Sequence, residues 1–224
     1  MTTSGERRAA AAAAGQVGEH DATAEAVAAV RSLVDGLRVA DAPREVLERV
    51  TALATDAAAL LDPHRVQGMR MQGALYPEVM LGGGGPSGSD PATIFPYSPV
   101  VGPLNPLAPP IELVFDGERI RGTEMLGAPY AGPPDMVHGG EIALVFDELL
   151  GTTNVCHGLG AFTGTLSVRY ERPTPLDAEL ELEAWIDRVE GRKVFTTGTI
   201  SHRGEVTARG EGIFIRTGIA ALDG

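Results

Sequence analysis

The sequence predicts an α+β protein in which one antiparallel β-sheet wraps around a central helix, preceded by an N-terminal helical hairpin. Three observations predict this architecture: helical apolar periodicity near the N-terminus, one apolar helix in the middle of the chain, and alternating polar and apolar residues over most of the C-terminal half. A sheet with one apolar face needs an apolar layer to cover it, and the central helix supplies that layer.

Composition narrows the class of protein before any motif is considered. Hydrophobic residues make up 43% of the 224 residues, which is enough for a core. The net charge of −12 repels a nucleic-acid backbone, so we expect no nucleic-acid partner. Charges and glycines interrupt every apolar run before the roughly 20 residues that a membrane span needs, so we expect no membrane partner. The single cysteine, Cys156, indicates a reducing cytoplasmic location.

The N-terminal part of the sequence predicts a tail followed by two helices. Residues 1–20 are small, polar and alanine-rich, which is typical of a disordered tail. Residues 21–62 predict the helical hairpin, whose second helix starts near Asp41-Ala42-Pro43. Apolar residues recur every three or four positions in both helices, at Ala24, Val27, Val30, Leu33, Val34 and Leu37, and at Val46, Leu47, Val50, Leu53, Ala57 and Leu60. We expect this face to pack against the main domain or another subunit.

Residues 63–110 predict a linker with a Pro/Gly-rich loop. The glycine-rich stretch at 82–88 lacks the Lys-Ser/Thr pair of a phosphate-binding loop, so we interpret it as flexible chain. The prolines from 96 to 110 favour a stiff, extended segment over a helix.

Residues 111–217 predict the main domain. Two short strands, 111–116 and 119–126, meet at the turn Asp116-Gly117. A helix over 139–154 follows. Four longer strands with strict alternation complete the domain, at 161–172, 178–189, 192–202 and 205–216. Turns near Gly191 and Gly204 make the last strands sequential and antiparallel.

The chemistry concentrates where the central helix begins. The motif His138-Gly139-Gly140 lies at the loop-to-helix junction, and Asp147 follows nine residues after the histidine. The first amide N–H groups of a helix have no internal partner and carry the positive end of the helix dipole, so they can stabilise an oxyanion. Asp147 lies within an apolar stretch, where a carboxylate is unfavourable unless it is paired or used.

Three segments resemble the phenylacetate-type (PaaI-like) thioesterases of the hotdog fold. They are residues 130–140, 146–151 and the strand end Val168-Arg169-Tyr170-Glu171-Arg172-Pro173, and the resemblance covers roughly residues 97–216. It implies an acyl-CoA thioesterase that releases a free acid and coenzyme A without a metal or other cofactor. It also implies a homodimer, or a dimer of dimers (homotetramer), with the active site at the subunit interface.

The resemblance also implies roles for individual residues. Asp147 becomes the catalytic carboxylate, as a general base or as a nucleophile, and the Gly139 and Gly140 amides form the oxyanion hole. His138 orients the substrate or the helix entry. Thr163 corresponds to a threonine near the attacking water, with Thr165 close by on the same predicted face. Four cations are candidates for the coenzyme A phosphates: Arg169, Arg172, Arg192 and Lys193.

Two other functions stay open at this point. The domain could bind acyl-CoA without hydrolysing it, or it could be a hotdog enoyl-CoA hydratase or dehydratase. The retained Asp147 argues against the first, and the spacing of its Asp and His argues against the second. The acyl group is left open by the sequence. Glu148 lies about 100° around the helix from Asp147, so we expect it to face elsewhere.

Overall fold

The computed structural model describes residues 4–68, 72–73, 91–109 and 111–216, except for the side chains of 4–21 and 92–93. The glycine-rich stretch at 82–88 lies outside the described residues. The helices are α1 (Ser4–Val39), α2 (Arg44–Leu61), the single turn α3 (Pro91–Ile94) and α4 (Gly139–Cys156). The strands are β1 (Glu112–Phe115), β2 (Arg119–Met125), β3 (Ala161–Tyr170), β4 (Glu179–Glu190), β5 (Lys193–His202) and β6 (Glu205–Arg216). Two 3₁₀ turns lie at Asp62–His64 and Ala128–Tyr130.

All six strands form one sheet in the order β1-β2-β4-β5-β6-β3, and every neighbouring pair is antiparallel. Strands β4, β5 and β6 follow one another through tight turns. Strand β3 leaves the end of α4 and pairs only with β6, so β1 and β3 are the two edges. The predicted fold class, a sheet around a central helix, is confirmed.

Helix α4 lies against the inner face of the sheet and forms the centre of the core. Phe146 and Leu150 are fully buried, as are Leu180 on β4 and Val194 on β5. Contact between helix and sheet is close enough to require glycine on β6. A Cβ atom at Gly210 would lie 2.4 Å from the ring of Phe146. This packing fixes how α4 sits across the sheet, and therefore where its two ends lie.

The segment 91–109 corrects the predicted linker. Ile94, Phe95, Val100 and Val101 belong to the same buried cluster as the α4 residues. Ser98 is fully buried, and its hydroxyl oxygen accepts hydrogen bonds from the Val100 and Val101 amides. The prolines here produce successive turns that direct apolar side chains inward. They do not produce the extended spacer that the sequence predicted.

The N-terminal region also differs from its prediction. Helix α1 begins at Ser4, so it includes most of the predicted tail 1–20. The alanines at 9–14 have the highest helix propensity of any residue, which favours this extension. Both predicted helices are present, but α2 buries none of its residues. In the described part of the chain, no helix is both long and apolar enough to span a membrane.

Candidate active site

The entry to α4 is fixed by His138, which is its N-cap residue. The His138 Nδ1 atom accepts a hydrogen bond from the Gly140 N–H at 3.0 Å. Gly140 therefore does not offer a free donor, whereas the sequence had predicted that both glycine amides face the substrate. Among the described residues, we find no acceptor for the Gly139 N–H. The Gly139 N–H thus stays available for a ligand, while the His138 side chain caps the helix through the Gly140 N–H.

Tyr170, near the end of β3, holds the same helix start from the other side. Its hydroxyl donates to the Gly139 carbonyl oxygen at 2.7 Å. The preceding loop is closely packed, because a Cβ atom at Gly132 would lie 2.7 Å from the His138 Cα atom. Gly139 is less crowded, since a Cβ atom there would meet the Tyr170 ring at an ordinary 3.5 Å. Gly139 therefore lies beside the Tyr170 end of β3.

Asp147 lies two turns further along α4, beside the other end of β3. Its Oδ1 atom accepts a hydrogen bond from the Thr163 hydroxyl at 2.8 Å. The carboxylate is partly buried and has one oxygen left for another partner. The sequence had associated Asp147 and Thr163 only through the family resemblance, and the structure brings the two side chains into contact.

A β-bulge separates Thr163 from Thr165. The pairing of β3 with β6 shifts register between these two residues, so Gly164 is an extra residue on β3. Thr163 consequently points toward α4, whereas Thr165 lines a shallow cavity on the opposite face with Asp187 and Arg188. This corrects the expectation that the two threonines share a face, because the bulge reverses the alternation.

One chain cannot place Asp147 and the Gly139 amide around the same small group. The two residues are eight positions apart on one helix, which corresponds to about 12 Å along its axis. A carbonyl with its oxygen on the Gly139 amide therefore lies out of reach of the Asp147 carboxylate of the same chain.

Two further acidic side chains are withdrawn from solvent, Glu148 half-buried on α4 and Glu124 buried on β2, and the sequence analysis considered only Glu148. Burial raises the pKa of Glu148 to about 7. Glu124, on β2, is only 3% exposed and finds no hydrogen-bond partner for either carboxylate oxygen among the described residues. Burial raises the pKa of Glu124 to about 8. Glu124 lies four residues after the buried Ile120 on β2 and therefore on the same inward face, and this spacing is the signal in the sequence that could have found it.

The four candidate cations for coenzyme A fall into two pairs. Arg169 and Arg172 lie at the end of β3, where Arg172 is 3.7 Å from Glu205 and donates to the Val206 carbonyl. Arg192 and Lys193 lie at the β4–β5 turn, beside the start of β3. A ten-residue strand is roughly 30 Å long, so the two pairs do not meet within one chain. Within the described residues, no group of three or more His, Cys, Asp or Glu side chains could hold a metal ion.

The sheet wrapped around α4 defines a hotdog-fold protein, and comparison with known proteins names the family. The model of the thioesterase superfamily matches residues 135–208. A crystal structure of a thioesterase superfamily protein is 35% identical, superimposes with a TM-score of 0.74, and is matched over 86% of this chain and 94% of that chain. The chain belongs to the thioesterase superfamily.

Curated relatives match part of the chain. Acyl-coenzyme A thioesterase THEM4 of Bos taurus is 34% identical over 93 residues, which are 40% of this chain and 38% of the relative. Acyl-coenzyme A thioesterase THEM5 of Homo sapiens is 29% identical over 92 residues, which are 40% of this chain and 37% of the relative. The chain thus spans less than two fifths of the length of these relatives.

Proposed function

We propose that this protein is an acyl-CoA thioesterase that hydrolyses an acyl-CoA thioester to a free acid and coenzyme A. The observation that carries the proposal is the arrangement on α4, where Gly139 presents a free amide at the helix start and Thr163 holds Asp147 eight residues further on. Family membership and the names of the curated relatives point to the same reaction.

The working unit in this proposal is a homodimer formed through the β3 edge. Strand β3 is ten residues long and carries two half-exposed aromatic side chains, Phe162 and Tyr170. A long exposed edge is a template for pairing with a second strand. Antiparallel pairing of two β3 strands about a two-fold axis near Leu166 and Ser167 sets Thr163 opposite Tyr170 of the partner subunit.

This pairing explains the distance between the two functional groups. Thr163 marks the position of Asp147, and Tyr170 marks the position of Gly139. The two-fold axis therefore brings Asp147 of one chain toward the Gly139 amide of its partner, and the dimer has two composite sites. The same axis brings Arg169 and Arg172 toward the partner's Arg192 and Lys193. Four cations then form a local basic patch for the coenzyme A phosphates on an acidic protein.

The chemistry follows from these positions. The thioester oxygen accepts a hydrogen bond from the Gly139 N–H, and the helix dipole stabilises the negative charge that develops on that oxygen. Asp147 then takes a proton from a water that attacks the carbonyl carbon, or its carboxylate attacks that carbon directly. The C–S bond breaks, coenzyme A leaves as a thiolate, and the thiolate is protonated. In the second route, water hydrolyses the resulting anhydride. Both routes use the same geometry.

Thiol release from a panel of acyl-CoA esters tests the proposal and identifies the acyl group. We expect Asp147→Asn to lower kcat by roughly 10²- to 10⁴-fold, the usual contribution of a positioned acid or base. The matched control is Glu148→Gln, which changes the neighbouring carboxylate on the same helix and should stay within about twofold of wild type.

Three results would contradict the proposal in different ways. Equal rates for wild type and Asp147→Asn would show that Asp147 is not a catalytic residue. Tight acyl-CoA binding without thiol release would favour a binding protein. Hydration of an enoyl-CoA without free thiol would favour a hydratase.

A further inference from the structure

Helix α2 carries an apolar stripe that no other described residue of the chain covers. None of the helix residues is buried. Leu47 is 42% exposed, Leu53 is 53% exposed and Leu60 is 74% exposed. An isolated helix of this length is marginal in water, and most helical stability in proteins comes from packing of an apolar face. We therefore expect the exposed apolar stripe of α2 to pack against a partner surface.

The spacing of the stripe is that of a short coiled coil. Val46, Val50, Leu53, Ala57 and Leu60 follow one another at intervals of four, three, four and three residues. This alternation keeps the apolar residues on one seam of the helix. Arg49 and Asp56 lie directly before Val50 and Ala57, so both charged side chains flank the same side of the seam.

We propose that α2 pairs antiparallel with the α2 helix of a second copy of this chain. In this pairing, Val50 packs against the partner's Leu53, and Val46 packs against the partner's Ala57. The two-fold axis repeats both contacts. The interface is self-complementary, as a two-fold contact requires.

Charge complementarity favours a second copy of α2 as the partner, and it favours the antiparallel orientation of the two helices. With these apolar layers, Arg49 lies opposite the partner's Asp56, and the axis creates the same ion pair a second time. Neither residue forms an ion pair within the described part of its own chain. A parallel pair would instead place Arg49 beside Ala54 and Asp56 beside Leu61, and both charges would stay unpaired.

The charges of α2 disfavour a membrane surface as the occupant. The helix carries two arginines, Arg44 and Arg49, against three acidic residues, Glu45, Glu48 and Asp56, so its net charge is −1. Helices that lie on membranes have a polar face rich in lysine and arginine.

In this proposal, the α2 contact and the β3 contact use different segments of the chain. The N-terminal region is anchored through Arg31, whose guanidinium donates to the carbonyl oxygens of Gly102 and Asn105 at 3.0 and 2.8 Å. Helix α1 contacts the 3₁₀ turn Ala128–Tyr130, and α3 contacts β1, the sheet edge opposite β3. Two different two-fold contacts, through β3 and through α2, produce a tetramer in which α2 joins two dimers.

The mass of the full-length protein in solution, measured by sedimentation across a concentration series, tests this pairing. We expect Arg49→Asp and Asp56→Arg each to weaken the α2 contact by about tenfold or more and to halve the assembly mass at low concentration. The double variant restores the Arg–Asp pairs with reversed direction and should recover the wild-type mass. The matched control is Arg44→Asp, since Arg44 pairs with Glu48 of its own helix away from the seam.

Cysteine cross-linking gives an independent measurement of direction. A mixture of Val50→Cys and Leu53→Cys chains should form a disulfide-linked dimer far faster than either variant alone. An unchanged mass for both single charge variants, or no rescue in the double variant, would overturn the proposal. Absence of the mixed cross-link would also overturn it, because α2 would then fold against its own α1 or bind another protein. These outcomes are independent of the thioesterase assay.

Discussion

Thr163 and Thr165 differ by two positions, which in a regular strand places both side chains on the same face. The bulge at Gly164 separates them, so that Thr163 donates to Asp147 while Thr165 faces the opposite side of the sheet. Nothing in the local sequence distinguishes these two threonines. The difference depends on the register with β6, a strand that lies some fifty residues further along the chain.

We expect Thr163→Val to lower kcat by roughly tenfold, because the variant keeps the shape of the side chain and removes the donor to a charged carboxylate. Thr163→Ser should retain most of the rate. Thr165→Val is the matched control, and thiol release should stay within about twofold of wild type. Equal losses for Thr163→Val and Thr165→Val would show that the hydrogen bond to Asp147 has no effect on turnover.

Glu124 shows how a buried acid couples stability to pH. Its pKa rises from 4.5 to about 8 because burial disfavours the charged form. The folded state then holds a proton that the unfolded state loses above pH 4.5. The contribution of Glu124 to the free energy of unfolding is therefore constant below pH 4.5. It falls as pH rises from 4.5 to about 8, and it levels off above pH 8.

Glu124→Gln removes this ionisation while keeping the shape of the protonated acid. Between pH 5 and pH 8, we expect the wild type to lose roughly 3 kcal/mol of unfolding free energy relative to the variant. Urea denaturation at several pH values measures the difference. Glu181→Gln, on the exposed face of β4, should leave the pH dependence of the wild type unchanged. Parallel curves for Glu124→Gln and the wild type would show that Glu124 is ionised in the folded state.

At the scale of elements, the first turn of α4 must both be capped by a side chain and leave one backbone amide free for a ligand. His138 caps the Gly140 amide through its side chain, and the amide of Gly139 stays free for a ligand. The residue before α4 has extended backbone angles, φ −63° and ψ 132°, which a following proline tolerates. Proline is also favoured at the first position of a helix. This geometry allows the Gly139 N–H to be removed without breaking the helix.

We expect Gly139→Pro to lower kcat by about 10²-fold, the effect of removing one oxyanion donor. Gly139→Ala is the matched control, because it keeps the N–H and its Cβ atom fits against Tyr170. Circular dichroism and thermal unfolding check that both variants fold. A proline variant as active as the alanine variant would exclude the amide from catalysis.

The segment 91–109 shows where element prediction from sequence fails. Turns, prolines and glycines have no periodicity, so the apolar residues among them do not indicate which side faces a core. Ile94, Phe95 and Val100 become buried because the inner face of the sheet and α4 leave a surface for them to cover. Only the long-range packing turns an irregular segment into part of the core.

At the scale of the whole molecule, the proposed dimer builds each composite site from two chains. A single subunit separates Asp147 from the Gly139 amide by about 12 Å, and the edge strand β3 connects the two positions. If each site takes Asp147 from one subunit and Gly139 from the other, an Asp147→Asn chain and a Gly139→Pro chain damage different halves of it.

Mixing these two inactive variants, after unfolding and refolding them together, should recover roughly a quarter of the wild-type activity. Half of the dimers are then mixed, and each mixed dimer has one intact site. Separately refolded variants, combined without exchange, provide the control. Activity that stays at the level of the single variants would show that the two groups do not act together across subunits, and it would overturn the dimer arrangement.

The sequence by itself determined the elements and the motif. Apolar periodicity located the central helix and the strands to within a few residues, since periodicity reports which face of a local element is buried. The spacing from His138 to Asp147 carried the family resemblance that predicts the site, and one helix contains that spacing.

Only the tertiary structure decided the direction of each group. It assigned the Gly140 amide to the His138 side chain, separated Thr163 from Thr165, buried Glu124 and left α2 exposed. Each of these outcomes depends on contacts between residues distant in sequence, through strand register, helix packing and surface left uncovered, and a local pattern does not contain that information.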